Sequence, residues 1–194
     1  MPFTLTGPCE YREEIRKSRF IALAAPVETP EQAHAFIQAN SDLAASHNCW
    51  AWKVGSQYRS SDDGEPGGTA GRPILAAIEA QDCDQVAVLV VRWYGGIQLG
   101  TGGLARAYGG CANKCLQPAE KRLLVARAPF ECDCTFSELA LVRLRVAEAG
   151  GLVTGEIFNA DGVRLHLALA PEVESTLQAQ LSELSRGRIV LHCA

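Results

Sequence analysis

No stretch of this chain is apolar for long enough to cross a bilayer as a helix. The longest apolar run, Val86 to Val91, falls far short of the roughly 20 residues that a membrane helix needs. The amino terminus lacks a basic stretch followed by an apolar one, the mark of an export signal. The expectation is a soluble, cytoplasmic protein with no membrane partner. An excess of positive charge is missing too, since 18 Lys and Arg stand against 22 Asp and Glu, a formal net charge of −4. Up to Ala128 there are thirteen of each sign, and the deficit lies wholly from Pro129 onward, with five basic residues against nine acidic. A dense basic field, which sequence-independent coating of nucleic acid requires, is therefore absent, while a local basic groove in the first half stays open. Cysteine is plentiful at eight, but CxxC spacing is absent. The closest pairs, Cys111 with Cys115 and Cys132 with Cys134, have no histidine nearby, so no metal is assigned to them and small buried, reduced thiols are expected. Low-complexity linkers and internal repeats are also lacking.

What the chain does contain is ordinary core-forming material, 47% hydrophobic and 21% charged over 194 residues, enough for one large or two small domains. Tyr11 to Ile15 and Phe20 to Val27 read as strands. Pro30 opens a helix whose apolar stripe runs through Ala33, Phe36 and Ile37 to Leu43 and Ala44. Cys49 to Val54 reads as a strand, Gly55 to Gly71 as a long loop, and a helix restarts at Pro73. Gln85 to Tyr94 is the strongest strand, apolar enough to be buried on both faces, and a glycine-rich turn leads from it into a helix of about fifteen residues from Thr101. From about Val125 the order is strand, helix capped by Ser137, strand Leu152 to Phe158, hairpin turn Asn159 to Gly162, strand Val163 to Ala170, helix from Pro171, and strand Ile189 to His192. This βαββαβ order is that of a ferredoxin-like split βαβ domain. The fold class is thus α+β, with domains expected at 1–122 and 123–194.

Two polar, glycine-rich stretches carry the functional signal. Ser60 to Pro73 packs four glycines and three carboxylates, Asp62, Asp63 and Glu65, into one loop that ends in Arg72 and Pro73. The carboxylates can hold a hard cation such as magnesium, although the alternation is not that of an EF-hand, or they can bond nearby backbone amides as a structural turn. Arg92 to Tyr108 places five glycines where a buried strand hands over to a helix. Amides at a helix start attract anions, which makes Gly100, Thr101, Gly102 and Gly103, with Arg72, Arg92 and Arg106, the candidate anion-binding set. The lysine of a Walker A loop is missing, the dinucleotide fingerprint is only loosely met, and close helix–strand packing is the competing use of the glycines. Trp50, Trp52, Trp93, Tyr94 and Tyr108 are candidates for stacking on bases, or else for the core, with Trp50 and Trp52 sharing a strand face. His47 has acid–base chemistry and shares a face with Cys49, but no nucleophile motif accompanies it.

Together, Ser18-Arg19-Phe20-Ile21, the strand His47-Asn48-Cys49-Trp50-Ala51-Trp52, the Ser61 to Pro73 loop and the Arg92 to Tyr108 turn resemble the IMPACT family in order and spacing, over about residues 7 to 115. The remainder looks like the small carboxy-terminal domain of its bacterial members. The resemblance implies an amino-terminal domain like the second domain of ribosomal protein S5, shared with an elongation factor G domain and with small-molecule kinases, followed by a ferredoxin-like domain similar to another of elongation factor G. In those kinases a glycine-rich loop at a helix start cradles nucleotide phosphates. Leu99 to Ala105 is similar in composition but lacks that loop's serine pair. The resemblance further implies eukaryotic relatives that carry a different extra domain and regulate translation by competing for an activator of a stress kinase, a role not expected here, where that extra domain is absent. The expected function is a non-enzymatic, translation-associated regulatory or binding protein whose partner is RNA, the ribosome or a translation factor. The alternatives are an enzyme acting on a phosphorylated small molecule or nucleotide, and a protein-interaction module without nucleic acid. No organic cofactor is expected, and the acidic loop is the place for a divalent cation if there is one.

Overall fold

The run Val86 to Val91, apolar at every position, needs cover on both faces and obtains it. The structure, a computed structural model, describes residues 2–194 and divides into two compact units, 1–124 and 125–194. In the first unit, strands β2 (Cys9–Ile15), β3 (Ser18–Pro26), β4 (His47–Val54), β5 (Gln57–Ser61) and β6 (Val86–Trp93) form an antiparallel sheet ordered β2-β3-β6-β4-β5. With β6 central, Val86, Val88 and Val90 point into a core with Phe20, Ala22, Cys49 and Ala51 beneath α2 (Gly71–Ala80) and α3 (Thr101–Leu116). Ala87, Leu89 and Val91 point the other way, into a core with Trp52, Ala33 and Ile37 of α1 (Pro30–Asn40). Each fully buried Val or Leu of this kind contributes about 1.5–3 kcal/mol. A short antiparallel pair, β1 (Phe3–Leu5) with β7 (Lys121–Leu123), joins the two ends of the unit and buries Leu5.

The second unit contains β8 (Ala128–Cys134), α4 (Leu139–Glu148), β9 (Leu152–Phe158), β10 (Val163–Leu169), a 3-10 turn Pro171–Val173, α5 (Glu174–Ser185) and β11 (His192–Cys193). Its sheet is antiparallel in the order β11-β8-β10-β9. Alternate residues Phe130, Cys132 and Cys134 of β8 and Val163, Leu165, Leu167 and Leu169 of β10 pack on Val142, Val146, Leu177 and Leu181 of the two helices. Between β8 and β10 the opposite face is polar, as where Arg164 donates two bonds to Asp133. Asn159 Oδ1 accepts from the amides of Asp161 and Gly162 and closes the β9–β10 turn. The chain is therefore α+β, as its pattern suggested. Among the described residues no helix is long and apolar enough to cross a membrane.

Four local expectations are corrected. The segment from Gly55 to Gly71 is not all loop, because Gln57–Ser61 pairs with β4 as the polar edge of the sheet, where no apolar alternation is required. Leu43 is not on the stripe of α1 but fully exposed, since the helix ends at Asn40 and Ser41 bonds back to the Ile37 carbonyl. Ser137 does not cap α4, whose entry is instead held by Glu138 accepting from the Thr135 amide and hydroxyl. The last strand is only His192–Cys193, starting three residues after the expected start of Ile189 to His192.

Candidate functional site

The two glycine-rich stretches meet in space, though not through the residues their composition singled out. The loop after β5 is shaped by one carboxylate. Asp62 accepts from the amides of Gly68 at 2.8 Å, Ala70 at 3.0 Å and Gly71 at 2.8 Å. Burial works to raise its pKa, but these amides and nearby Arg72 outweigh that and hold it below the ordinary carboxylate value. Asp63, with φ of 42°, accepts from the Asn48 amide at 2.5 Å. Glu65 turns inward instead. Its Oε1 accepts from Arg92 Nη1 at 2.6 Å and from the Tyr108 hydroxyl at 2.7 Å, and His47 Nε2 lies 3.7 Å away. Because the Asp63 carbonyl can only accept, the 2.8 Å bond from His47 Nδ1 puts the proton on that nitrogen and leaves Nε2 facing Glu65.

Arg92 anchors this cluster from the end of β6. Its Nη2 donates to Ser18 Oγ at 3.2 Å, while its Nε is buried with no partner. Ser18 Oγ also accepts from the Gly95 amide at 3.3 Å. That turn demands glycine, since a Cβ at Gly95 would lie 1.9 Å from the Lys17 carbonyl oxygen. Gly100, at φ of 75°, then opens α3 with no side-chain cap. A positive φ there suits glycine, and, as at any helix start, the first amides have no intrahelical partner.

These pieces line one cleft of about 550 Å³, bounded by Ser46, His47, Glu65, Arg92, Tyr94, Gln98, Gly100 and Thr101. The remaining candidates lie elsewhere. Gly103 and Arg106 border a neighbouring cavity of about 270 Å³ with Arg16 and Lys114, and Arg106 folds back beside Gly102. Arg72 lines a separate cavity of about 670 Å³ with Tyr58 and Arg59, away from Arg92. A magnesium site at the acidic loop is not formed: Asp62, Asp63 and Glu65 each serve a different partner, and among the described residues no group of three or more His, Cys, Asp or Glu is placed to hold a metal ion.

The stacking set is likewise divided. Trp52 is 2% exposed and Tyr108 fully buried, so neither has a face to offer a base. Trp50 packs edge-on to His34, and Trp93 lies under the Arg19 guanidinium, both on the sheet face opposite the cleft. Only Tyr94 presents an exposed ring at the cleft, 5.4 Å from the Arg92 guanidinium carbon. Cys49 is no partner for His47. Its thiol donates to the Asp62 carbonyl, and burial with the neighbouring carboxylates pushes its pKa up to about 12. Sequence reasoning missed Ser18, Ser46 and Gln98, and it read Glu65 and Tyr108 in other roles. No local spacing links residues 18, 47, 65, 92 and 108.

Comparison with known proteins decides the family. The Impact N-terminal domain model matches residues 16–116, which include every member of the buried cluster, and a "Domain of unknown function (DUF1949)" matches residues 132–188. The chain is 45% identical to an IMPACT family member of Thermus thermophilus, over 90% of this chain and 97% of that one. The chain belongs to the IMPACT family. IMPACT family members of Haemophilus influenzae and Escherichia coli (YigZ) are 37% and 35% identical over 93% and 95% of this chain, and over 91% and 94% of their own lengths. The IMPACT protein of Xenopus laevis shares 38% identity over 44% of this chain and 30% of its own length, so the likeness to the eukaryotic members is confined to one part. A crystal structure of a hypothetical protein, 34% identical, superposes with a TM-score of 0.73 over 99% of this chain and 96% of that one.

Proposed function

We propose that this IMPACT family member is a translation-associated binding protein and that its amino-terminal unit holds a phosphate of RNA in the cleft at the start of α3. The observation that carries the proposal is that one cavity is lined both by the uncapped start of α3 and by Arg92, whose Nε is buried without an acceptor. A phosphate oxygen would accept from the amides at that helix start, with the Arg92 guanidinium beside it adding positive charge. Arg16 and Arg106, which line the neighbouring cavity, and Lys17, whose backbone abuts Gly95, supply positive charge beside the cleft. The aromatic ring of Tyr94 at the rim suits a neighbouring base. The link to translation rests on family membership. The reading of the two units as an S5-like domain and a ferredoxin-like domain rests on the sequence resemblance and, for the second, on the sheet order β11-β8-β10-β9 with both helices on one face.

Thr101→Asp separates binding from folding. A carboxylate in the first turn of α3 favours the helix by about 0.3–1 kcal/mol while repelling a phosphate. The wild-type chain is expected to co-sediment with purified ribosomes and to bind single-stranded RNA, with Thr101→Asp weakening both at least about tenfold at unchanged or higher melting temperature. Failure of the wild type to bind either, or equal binding by the variant, refutes the proposal. One observation favours a second reading, catalysis on a phosphorylated small molecule. His47 is oriented by the Asp63 carbonyl and turns Nε2 toward the cleft beside Glu65, as an acid–base imidazole requires. A saturable thermal shift with free nucleotides or sugar phosphates, without RNA binding, is the outcome that would select it.

A further inference from the structure

Of the eight cysteines, two touch. Cys9 begins the edge strand β2 with its side chain turned toward α3, and Cys115 lies in the last turn of that helix, on the face buried against the sheet. Their sulfurs are 3.6 Å apart, the one thiol–thiol contact within hydrogen-bonding distance among the described residues. Cys115 is 2% exposed, whereas Cys9 is only partly covered. Beside them Lys121 is fixed by the Gln117 carbonyl and the Gln81 side chain. The other cysteines are arranged differently: Cys49, Cys83, Cys111, Cys132 and Cys134 are buried, and Cys193 is exposed with no thiol against it.

We propose that Cys9 and Cys115 are a modification site, a thiol pair that closes to a reversible disulfide when the protein meets a peroxide. The chemistry of the two sulfurs is unequal in the useful sense. The contact with Cys115 lowers the Cys9 pKa; burial opposes the shift and the Lys121 charge adds to it. The same contact, with burial, raises Cys115 and keeps it protonated. Cys9, partly exposed where Cys115 is 2% exposed, is the sulfur a peroxide can reach, so Cys9 attacks and Cys115 resolves. The Cys9 thiolate attacks one peroxide oxygen, the O–O bond breaks, and the departing hydroxide takes up a proton to leave water and a Cys9 sulfenic acid. The Cys115 sulfur then attacks the Cys9 sulfur, the S–O bond breaks, and the hydroxyl leaves with the Cys115 proton as a second water. Two thiols give up two electrons and two protons, and one peroxide becomes two waters. Closure to a bond of about 2.05 Å asks the sulfurs to approach by about 1.5 Å. The product pins the sheet edge to the end of α3 that lies roughly 20 Å from the cleft.

The experiment treats the intact chain with hydrogen peroxide in roughly tenfold excess, blocks remaining thiols with N-ethylmaleimide, and maps unreduced peptides by mass spectrometry. A Cys9–Cys115 linked peptide about 2 Da lighter than the two thiol peptides is expected, and it should disappear after dithiothreitol. In Cys115→Ser, Cys9 should instead accumulate as a sulfenic acid captured by dimedone, and in Cys9→Ser the Cys115 thiol should stay reduced. Linkage of Cys9 to another cysteine, or wild-type protein that keeps both thiols alkylatable, would overturn the proposal, and neither of those readouts depends on a variant folding. RNA binding plays no part in the assay, so its outcome is independent of the function proposed above.

Discussion

Glu65 offers the sharpest test of how the amino-terminal unit is held together. Its side chain is 4% exposed, and that of Arg92 5%, so the pair has little water to fall back on. Glu65→Ala deletes the acceptor that Arg92 Nη1 and the Tyr108 hydroxyl share, and it strands a guanidinium whose Nε already lacks a partner. Breaking a buried ion pair from one side costs about 3–5 kcal/mol, and orphaning the Tyr108 hydroxyl adds about 1 kcal/mol. The sum, about 4–6 kcal/mol, is of the order of the whole net stability of a small domain. Glu65→Gln keeps an acceptor oxygen and the shape while removing the charge, and it should cost about 2–3 kcal/mol. The double change Glu65→Leu with Arg92→Met removes both charges and should cost clearly less than the two single changes added together. All three tryptophans, Trp50, Trp52 and Trp93, belong to this unit, so urea unfolding followed by tryptophan fluorescence reports it selectively. Raising salt to about 1 M should change the differences little, because a buried pair is poorly screened. A Glu65→Ala protein within about 1 kcal/mol of wild type, or a double variant as unstable as the sum of the singles, would refute the reasoning.

Two further outcomes follow from the turns on either side of that pair. Gly95→Ala drives a Cβ into the Lys17 backbone and should cost more than about 2 kcal/mol, whereas Gly110→Ala, in the same unit but inside α3 with nothing within 4 Å, should gain up to about 1 kcal/mol; paired thermal melts check both signs. The Asp62 carboxyl titrates below its ordinary value in the folded chain, so its contribution is complete above about pH 4 and is lost as pH falls through the lower folded value. Asp62→Asn should therefore be less stable than wild type at pH 7, with the gap narrowing toward pH 3; urea midpoints that run parallel across pH 7, 5 and 3 would count against it.

What could be read from the residues in order was whatever repeats at short range. Val86 to Val91 is apolar at every position, and that alone identifies a strand covered on both sides. The glycines before Thr101 mark a helix start, and Asn159 to Gly162 marks a hairpin, because turn chemistry is local. The edge strand Gln57–Ser61 stayed hidden because four of its five residues are exposed and nothing makes them alternate. The cleft was legible only by half. Composition drew attention to both stretches, yet it treated Asp62, Asp63 and Glu65 as one group. The folded loop makes Asp62 a brace for backbone amides and sends Glu65 into the core, a division set by Arg92 and Tyr108, 27 and 43 residues further on. Burial of Tyr108 and Trp52 follows from the same long-range packing, which no aromatic count can foresee.

The knot of Ser18, His47, Glu65, Arg92 and Tyr108 also bears on how such a site can be inherited or lost. Its members come from three strands, a loop and a helix, and no two of them are closer than sixteen positions along the chain. They meet only when β3, β4 and β6 are paired and α3 is packed on them. A peptide carrying only the acidic loop, or only the glycine turn, would retain the motif and have no cleft. The smallest segment able to rebuild the knot runs from residue 18 to residue 108, and the family model spans 16–116. A site assembled this way moves between proteins only as a whole domain.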